Sequence, residues 1–166
     1  KVYENKVGVM TNAPSFDWHI TNLRQYMNAT PVQPTSANWS DLELTPLGSA
    51  TGGIGLPGDF SSPSRFVRVA FLRAQILMED IENDGIIEFF HILNNVAMVK
   101  GSVITKDGKD EITQYSSCMN LEKGLYYYKS YNNNQINMLD MHKEDLDGSE
   151  MKIFPYNDIQ VVNILN

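Results

Sequence analysis

Three stretches of the chain carry apolar residues at the spacing of one helical face. The first covers residues 16–28 and follows Ser15, which suits the N-cap position. The second covers residues 63–80, with Ser62 as its N-cap and a proline at the first helical position. The third covers residues 84–101 and ends at a glycine, a common helix stop signal. The pattern therefore predicts three amphipathic helices.

Elsewhere the apolar residues alternate with polar ones, which is typical of strands. Residues 2–10 have this pattern, and so do residues 102–105 and 111–118, on either side of an Asp-Gly turn at 106–109 that favours a hairpin. The remaining predicted strands are 124–131, 135–141 and 151–156. Four or five antiparallel strands carrying two stacked helices indicate the α+β class.

A glycine- and proline-rich loop at residues 52–61 lies between a long polar connection, residues 30–47, and the second predicted helix. It places Arg65 in the first turn of that helix, where the helix dipole disfavours positive charge. Such an arginine needs another reason to be there, such as a carboxylate partner, a bound anion or developing negative charge. Spacing alone leaves a structural salt bridge and a functional role both open.

Composition narrows the class of protein. The 166 residues fit one domain, and 42% hydrophobic with 20% charged residues is ordinary for a globular protein. A formal net charge of −7 argues against nucleic acid as a partner, and no apolar run has the length of a membrane span. The single cysteine excludes an internal disulfide and fits a reducing compartment, so we expect a cytoplasmic protein with no membrane partner.

Most residues that could carry chemistry have simpler explanations. The three histidines have no metal-ligand spacing, and the glycine loop lacks the lysine of a phosphate-binding loop, so we expect no metal and no cofactor. Cys118 lies in a predicted strand with no histidine near it in sequence, which favours a buried structural thiol.

Asn12 and Arg65 are the remaining candidates. Asn12 is predicted to end a strand and Arg65 to begin a helix, positions at which α+β sites commonly assemble. An asparagine NH₂ and a guanidinium could together stabilise an oxyanion or orient an acyl group. No nucleophile in the chain comes with a plausible base, so the residues by themselves indicate only half of a site.

Four segments, taken in order, resemble the C-terminal half of the choloylglycine hydrolases, which comprise penicillin V acylases and conjugated bile salt hydrolases. These segments are VGVMTNAPSFDWHITNLRQYMN, DLELTPLGSATGGIGLPGDFSSPSRFVR, FFHIL and ITQYSSCMNLEKGLYYYKSYNNNQIN. The resemblance implies an N-terminal-nucleophile hydrolase fold with αββα layers, of which this chain supplies roughly half. It also implies a cysteine nucleophile at a processed N-terminus, whose own α-amino group is the base.

In that family the asparagine of the Thr-Asn-x-Pro block helps form the oxyanion hole and falls here on Asn12. The arginine of the Ser-Arg-Phe block lies beside the nucleophile and falls here on Arg65. The family's nucleophile belongs to the N-terminal half, which is absent from this sequence, and neither Lys1 nor Cys118 replaces it. We therefore expect residues 1–166 to be the C-terminal portion of one domain that needs the N-terminal half as its partner.

The resemblance implies a linear amide C–N hydrolase with a small-molecule amide substrate, active once the N-terminal half completes it, and a homo-oligomer, a tetramer by family analogy. Residues 17–19 and the LELTPLG segment favour the penicillin V acylase type, acting on phenoxymethylpenicillin. The alternative is a conjugated bile salt hydrolase. An alternative of another class is a non-catalytic fragment that acts as a binding or assembly module.

Overall fold

The computed structural model of the chain describes residues 2–79 and 84–166. These residues divide into two compact units, Lys1–Glu79 and Asp80–Asn166, apart from the undescribed positions. The elements in chain order are α1 (Phe16–Leu23), β1 (Ala37–Trp39), β2 (Leu42–Leu44), α2 (Ser62–Gln75), α3 (Asp84–Asn94), β3 (Tyr115–Asn120), β4 (Leu125–Ser130) and β5 (Asn137–Asp140). Both sheets of the described residues are antiparallel and occur together with helices, which confirms the α+β class.

The core of the first unit forms where α1 and α2 meet. Phe66 of α2 is fully buried, and Val9 and Ala70 are buried beside it. Five partly buried apolar side chains complete the cluster: Val7, Phe16, Ile20, Leu23 and Val69. The apolar stripes of the two helices therefore face each other, as the helical spacing predicts.

Helix α2 begins one residue earlier than predicted. Ser61 is the N-cap, and its hydroxyl oxygen accepts a hydrogen bond from the backbone N–H of Ser64. Because Ser62 is then the first helical residue, its hydroxyl is available for other contacts. The helix ends at Gln75, where Ile76 becomes extended, and the predicted end at residue 80 lies outside the described residues. The other two helices are also shorter than predicted: α1 continues only as a 3₁₀ turn, Arg24–Tyr26, and α3 ends at Asn94.

The strand predicted at residues 2–10 is wrong. A turn interrupts it, with Gly8 at a positive φ of 67° and its N–H donating to the side-chain oxygen of Asn5 at 2.8 Å. The Nη1 of Arg73 donates to the carbonyl oxygen of Val7 at 2.9 Å. Side chains thus satisfy the backbone groups that a neighbouring strand would otherwise pair, and alternation alone could not reveal this.

The predicted loop at residues 30–47 instead contains the antiparallel hairpin of β1 and β2. Trp39 pairs with Leu42, so Ser40 and Asp41 form the turn, and Ser40 has a positive φ of 54°. Both strands are exposed along their length, so neither has the buried face whose alternation identifies a strand in a sequence.

In the second unit, β3, β4 and β5 form an antiparallel sheet with β4 in the centre, and α3 lies against β3. The strands predicted at 124–131 and 135–141 are confirmed with shorter bounds. The strand predicted at 111–118 begins at Tyr115 and pairs with β4. Residues 102–105 contribute only an isolated bridge, Ile104 to Asp110, around the predicted turn.

The strand predicted at residues 151–156 is also wrong. The chain there has no regular structure, and side chains hold the segment that follows it. The Nδ2 of Asn132 donates to the carboxylate of Asp158 at 2.6 Å, and the N–H of Asn134 donates to the Oε1 of Gln160 at 2.9 Å. The asparagine-rich turn thus fixes the tail in place of a strand ladder.

Gly52 offers a test of the packing in the first unit. Its carbonyl oxygen accepts from the N–H of Thr30 at 3.1 Å, and a Cβ at this position would lie 2.3 Å from the carbonyl oxygen of Val32. We expect Gly52→Ala to lower the free energy of unfolding by about 1–3 kcal/mol, because backbone must move to admit the methyl group. Urea unfolding of the protein measures this.

Gly58→Ala is the matched control, because among the described residues a Cβ there meets no heavy atom within 4 Å. Both substitutions remove the same backbone freedom from the unfolded chain, so this contribution cancels in the comparison. Equal unfolding midpoints for the two variants would show that the approach of residues 30–32 to Gly52 is not tight.

Candidate functional site

The structure brings Asn12 and Arg65 together, although 53 positions separate them. The Nη2 of Arg65 donates to the Oδ1 of Asn12 at 3.1 Å, and its Nε donates to the carbonyl oxygen of Phe60 at 3.1 Å. Arg65 lies in the first turn of α2, as predicted, whereas Asn12 lies in an irregular loop before α1 and ends no strand. One guanidinium therefore joins this loop, the glycine-rich loop and the helix.

These contacts explain how an arginine is tolerated at the start of a helix. Its Nε and Nη2 donate to an amide oxygen and a backbone carbonyl oxygen, which are the negative ends of local dipoles. The planar guanidinium presents several N–H donors in a fixed fork, so it binds both oxygens at once.

The same contact sets the orientation of the Asn12 side chain. Arginine has donors and no acceptor, so the atom of the Asn12 amide that faces it must be the oxygen. In a planar amide, the NH₂ group then points away from Arg65. Since Asn12 is exposed on its own unit, this NH₂ can donate to a group brought from outside the unit.

Arg68 fixes the glycine-rich loop from the next turn of α2. Its Nη1 donates to the carbonyl oxygens of Pro57 and Asp59, at 2.8 and 2.7 Å. The sequence analysis did not single out Arg68, although its spacing of i+3 from Arg65 places both side chains on one helical face. Together the two arginines bind backbone oxygens along residues 57–60, so the loop is held in one conformation.

Asp59 is a second residue that the sequence analysis missed. Its Oδ1 accepts from the N–H of Ser61 at 2.8 Å, and its Oδ2 accepts from the hydroxyl of Ser64 at 2.5 Å. These hydrogen bonds favour the ionised form and lower the pKa of the Asp59 carboxyl to about 2. The carboxylate is thus negative at neutral pH and lies just before the N-terminus of α2, where the helix dipole favours it.

His19, one of the three histidines without metal-ligand spacing, is buried next to the site. Its ring stacks on Phe66 with centroids 4.4 Å apart, and its Nε2 lies 3.0 Å from the hydroxyl oxygen of Thr11. Desolvation lowers the pKa of His19 below its ordinary value, although the backbone of Ala13 and Pro14 acts in the opposite direction. Burial therefore favours a neutral imidazole.

The other candidates lie in the second unit. Cys118 is half-buried in β3, and burial raises the pKa of its thiol, which disfavours the nucleophilic thiolate. Across residues 2–79 and 84–166, no three His, Cys, Asp or Glu side chains are grouped as metal ligands would be. The helices in the described part of the chain are all too short or too polar to cross a membrane.

Residues 1–154 match the family of linear amide C–N hydrolases known as the choloylglycine hydrolase family. The chain belongs to the choloylglycine hydrolase family. It is 53% identical to a bile salt hydrolase/transferase of Clostridium perfringens over 99% of this chain and 50% of that protein. It is 43% identical to a bile salt hydrolase/transferase of Lactiplantibacillus plantarum over 93% of this chain and 48% of that protein.

Solved structures confirm the N-terminal-nucleophile hydrolase fold. A mutant of the conjugated bile acid hydrolase from C. perfringens superposes with a TM-score of 0.90 at 53% identity, over 100% of this chain and 50% of that one. Penicillin V acylase from Agrobacterium tumefaciens superposes with a TM-score of 0.55 at 23% identity, over 81% of this chain and 36% of that one, which shows a shared fold alone. The chain spans about half the length of the curated relatives it matches.

The pKa of Asp59 can be tested by carboxyl NMR titration of the complete enzyme. We expect a midpoint of about 2 and, in Ser64→Ala, a shift upward towards the ordinary 3.8, because one donor to the carboxylate is lost. Since the folded pKa is depressed, the contribution of Asp59 to stability is present above pH 3.8 and is lost as the pH falls towards about 2.

Asp107 is the internal control for this titration. Hydrogen bonds from Lys109 and Thr105 lower its pKa, and Ser64→Ala changes neither of these donors. The titration midpoint of Asp107 should be the same in the unmodified protein and in Ser64→Ala. An unchanged Asp59 midpoint in Ser64→Ala would contradict the assignment of the shift to the serine hydroxyl.

Proposed function

We propose that this chain is the C-terminal portion of a conjugated bile acid hydrolase, which cleaves the amide bond between a bile acid and an amine. The observation that carries the proposal is the 53% identity along 99% of the chain to a protein named as a bile salt hydrolase/transferase. The expected preference for the penicillin V acylase type has weaker support, because that neighbour is only 23% identical. The conjugated bile salt hydrolase, which was the alternative to the penicillin V acylase type, is therefore the proposed function.

In the proposed reaction, a cysteine thiolate supplied by the N-terminal half attacks the amide carbonyl carbon. The carbonyl oxygen becomes an oxyanion, and the NH₂ of Asn12 donates a hydrogen bond to it. As the C–N bond breaks, the nitrogen takes a proton from the α-ammonium group of the cysteine, and an acyl thioester remains. Water then hydrolyses the thioester, which releases the acid and restores the thiol.

Arg65 supports this reaction by fixing the Asn12 amide. Its hydrogen bond to Oδ1 leaves only the NH₂ side for the oxyanion, and the guanidinium charge draws electrons towards the amide oxygen. The polarised NH₂ is a stronger donor than that of a free amide. An oriented donor also needs no reorganisation when negative charge develops, and this preorganisation is the main source of oxyanion stabilisation.

The complete enzyme, with its N-terminal half, should hydrolyse a glycine-conjugated bile acid with a higher kcat/KM than phenoxymethylpenicillin. Release of glycine and of the penicillin nucleus can be followed by the same amine-detecting assay. A preference for phenoxymethylpenicillin would reinstate the penicillin V acylase type. Activity on neither, from a folded enzyme with an N-terminal cysteine confirmed by mass spectrometry, would favour the non-catalytic binding or assembly module.

Asn12→Ala in the complete enzyme should lower kcat by roughly 10²–10³ and change KM little, because an oxyanion donor acts mainly in the transition state. Steady-state kinetics on the conjugated bile acid measure both constants. Arg65→Lys is the companion variant: it keeps the charge, but one ammonium cannot reproduce the fork that binds Asn12 and Phe60. Unchanged kcat in Asn12→Ala would remove this amide from the proposed site.

The N-terminal half as partner, the homo-oligomer and the cytoplasmic location stay predictions. The half-length coverage of the relatives is consistent with the first of these. Mass spectrometry of the intact protein from its natural source tests it directly, by detecting a longer parent chain or a second polypeptide with an N-terminal cysteine.

A further inference from the structure

Three successive residues of one loop are each held by a side chain from a helix. We name residues 11–14 the Asn12 loop. The hydroxyl of Thr11 lies 3.0 Å from the Nε2 of His19 in α1, and Asn12 is bound by Arg65 in α2. The N–H of Ala13 donates to the hydroxyl oxygen of Ser62 at 3.2 Å. The loop is therefore fixed on both sides of the residue that presents the amide.

His19 is the most firmly placed of these anchors. It is 1% exposed and its ring is nearly parallel to that of Phe66, at an angle of 13°. Phe66 is itself fully buried in the core, so the imidazole takes its position from the packing of α1 against α2. A side chain so enclosed has little freedom to follow the loop, and the loop must instead adapt to the ring.

Burying an imidazole at this place costs more free energy than burying an apolar ring would. Its Nδ1 is buried and, among the described residues, no group meets hydrogen-bond geometry with it. A phenyl ring would keep the stacking on Phe66 without burying a polar nitrogen. An imidazole supplies a contact that a phenyl ring cannot, between Nε2 and the Thr11 hydroxyl, one residue before Asn12. The imidazole also interacts with the backbone of Ala13 and Pro14 in the same loop.

We propose that His19 and Thr11 are positioning residues that hold the Asn12 amide in the direction required for oxyanion stabilisation. This inference rests on the proposed amidase function and adds residues to its site. Arg65 decides which atom of the amide faces outward, whereas the His19–Thr11 pair decides where the backbone carrying that amide lies. An oxyanion donor must be within about 2.7–3.1 Å of the developing charge, so a small backbone movement is enough to weaken it.

The test is Thr11→Val in the complete enzyme, because valine has the shape of threonine and lacks the hydroxyl. We expect kcat on a glycine-conjugated bile acid to fall about tenfold with KM nearly unchanged, the result of a displaced donor rather than of lost substrate binding. Thr11→Ser, which keeps the hydroxyl, should restore most of kcat. His19→Phe should reproduce the effect of Thr11→Val, and the double variant should be no worse than either single one.

Thr21→Val is the matched control. It makes the same chemical change at an exposed position in α1, where the hydroxyl donates to the local backbone oxygen of Asp17. Its kcat should equal that of the unmodified enzyme. Unfolding midpoints for all variants separate an effect on the fraction folded from an effect on kcat.

The decisive comparison is made in the Asn12→Ala background. If Thr11 acts through Asn12, adding Thr11→Val to Asn12→Ala should lower kcat no further. A further tenfold loss there, or an unchanged kcat in Thr11→Val alone, would overturn the inference while leaving the amidase proposal intact. Absence of activity in the unmodified enzyme, or a normal kcat in Asn12→Ala, would instead overturn the proposed function on which the inference rests.

Discussion

The arrangement of the first unit depends on one guanidinium that binds two oxygens from distant parts of the chain. Arg65 reaches both the Asn12 side chain and the Phe60 backbone. The N–H of Ala13 also donates to the Ser62 hydroxyl, and the core beneath is an apolar cluster of Val9, Phe66 and Ala70. Apolar contacts are non-directional, so they bring segments together without orienting an amide. The hydrogen bonds of Arg65 supply that orientation.

The charged side chains around the start of α2 are also stabilised by hydrogen bonds with neighbouring polar groups. The positive charge of Arg65 would be unfavourable in the first turn of a helix, but its Nε donates to a backbone carbonyl oxygen of the preceding loop. Arg68, in the next turn, binds two more carbonyl oxygens of that loop. The carboxylate of Asp59 lies in the same loop and remains ionised because serine hydroxyl and backbone N–H groups solvate it. The loop thus presents oxygen atoms to the arginines and a negative charge to the helix.

The sequence identified both candidate residues but not their surroundings. Arg65 follows helix signals that a single sequence displays, namely Ser62 and the proline after it. Asn12 was predicted to end a strand that the structure does not contain. Asp59, Arg68 and His19 could not be found in this way, because their roles depend on which backbone groups approach them in three dimensions.

The errors in secondary structure have the same origin. Alternation at residues 2–10 and 151–156 resembles a strand, yet a strand requires a partner. Side chains bind backbone groups of the first segment instead, and side chains hold the residues that follow the second. The hairpin of β1 and β2 has a partner but no buried face, so it gives no periodic signal. The strands β3, β4 and β5 were predictable because each has a partner and partly buried side chains.

The half-buried Cys118 has a practical consequence for labelling experiments. Alkylating reagents attack the thiolate, and burial raises the pKa of this thiol, so iodoacetamide should modify it slowly at neutral pH. It is the single cysteine of the 166 residues. Rapid alkylation of a protein that contains this chain would therefore not be assigned to Cys118, which need not be replaced before such an experiment.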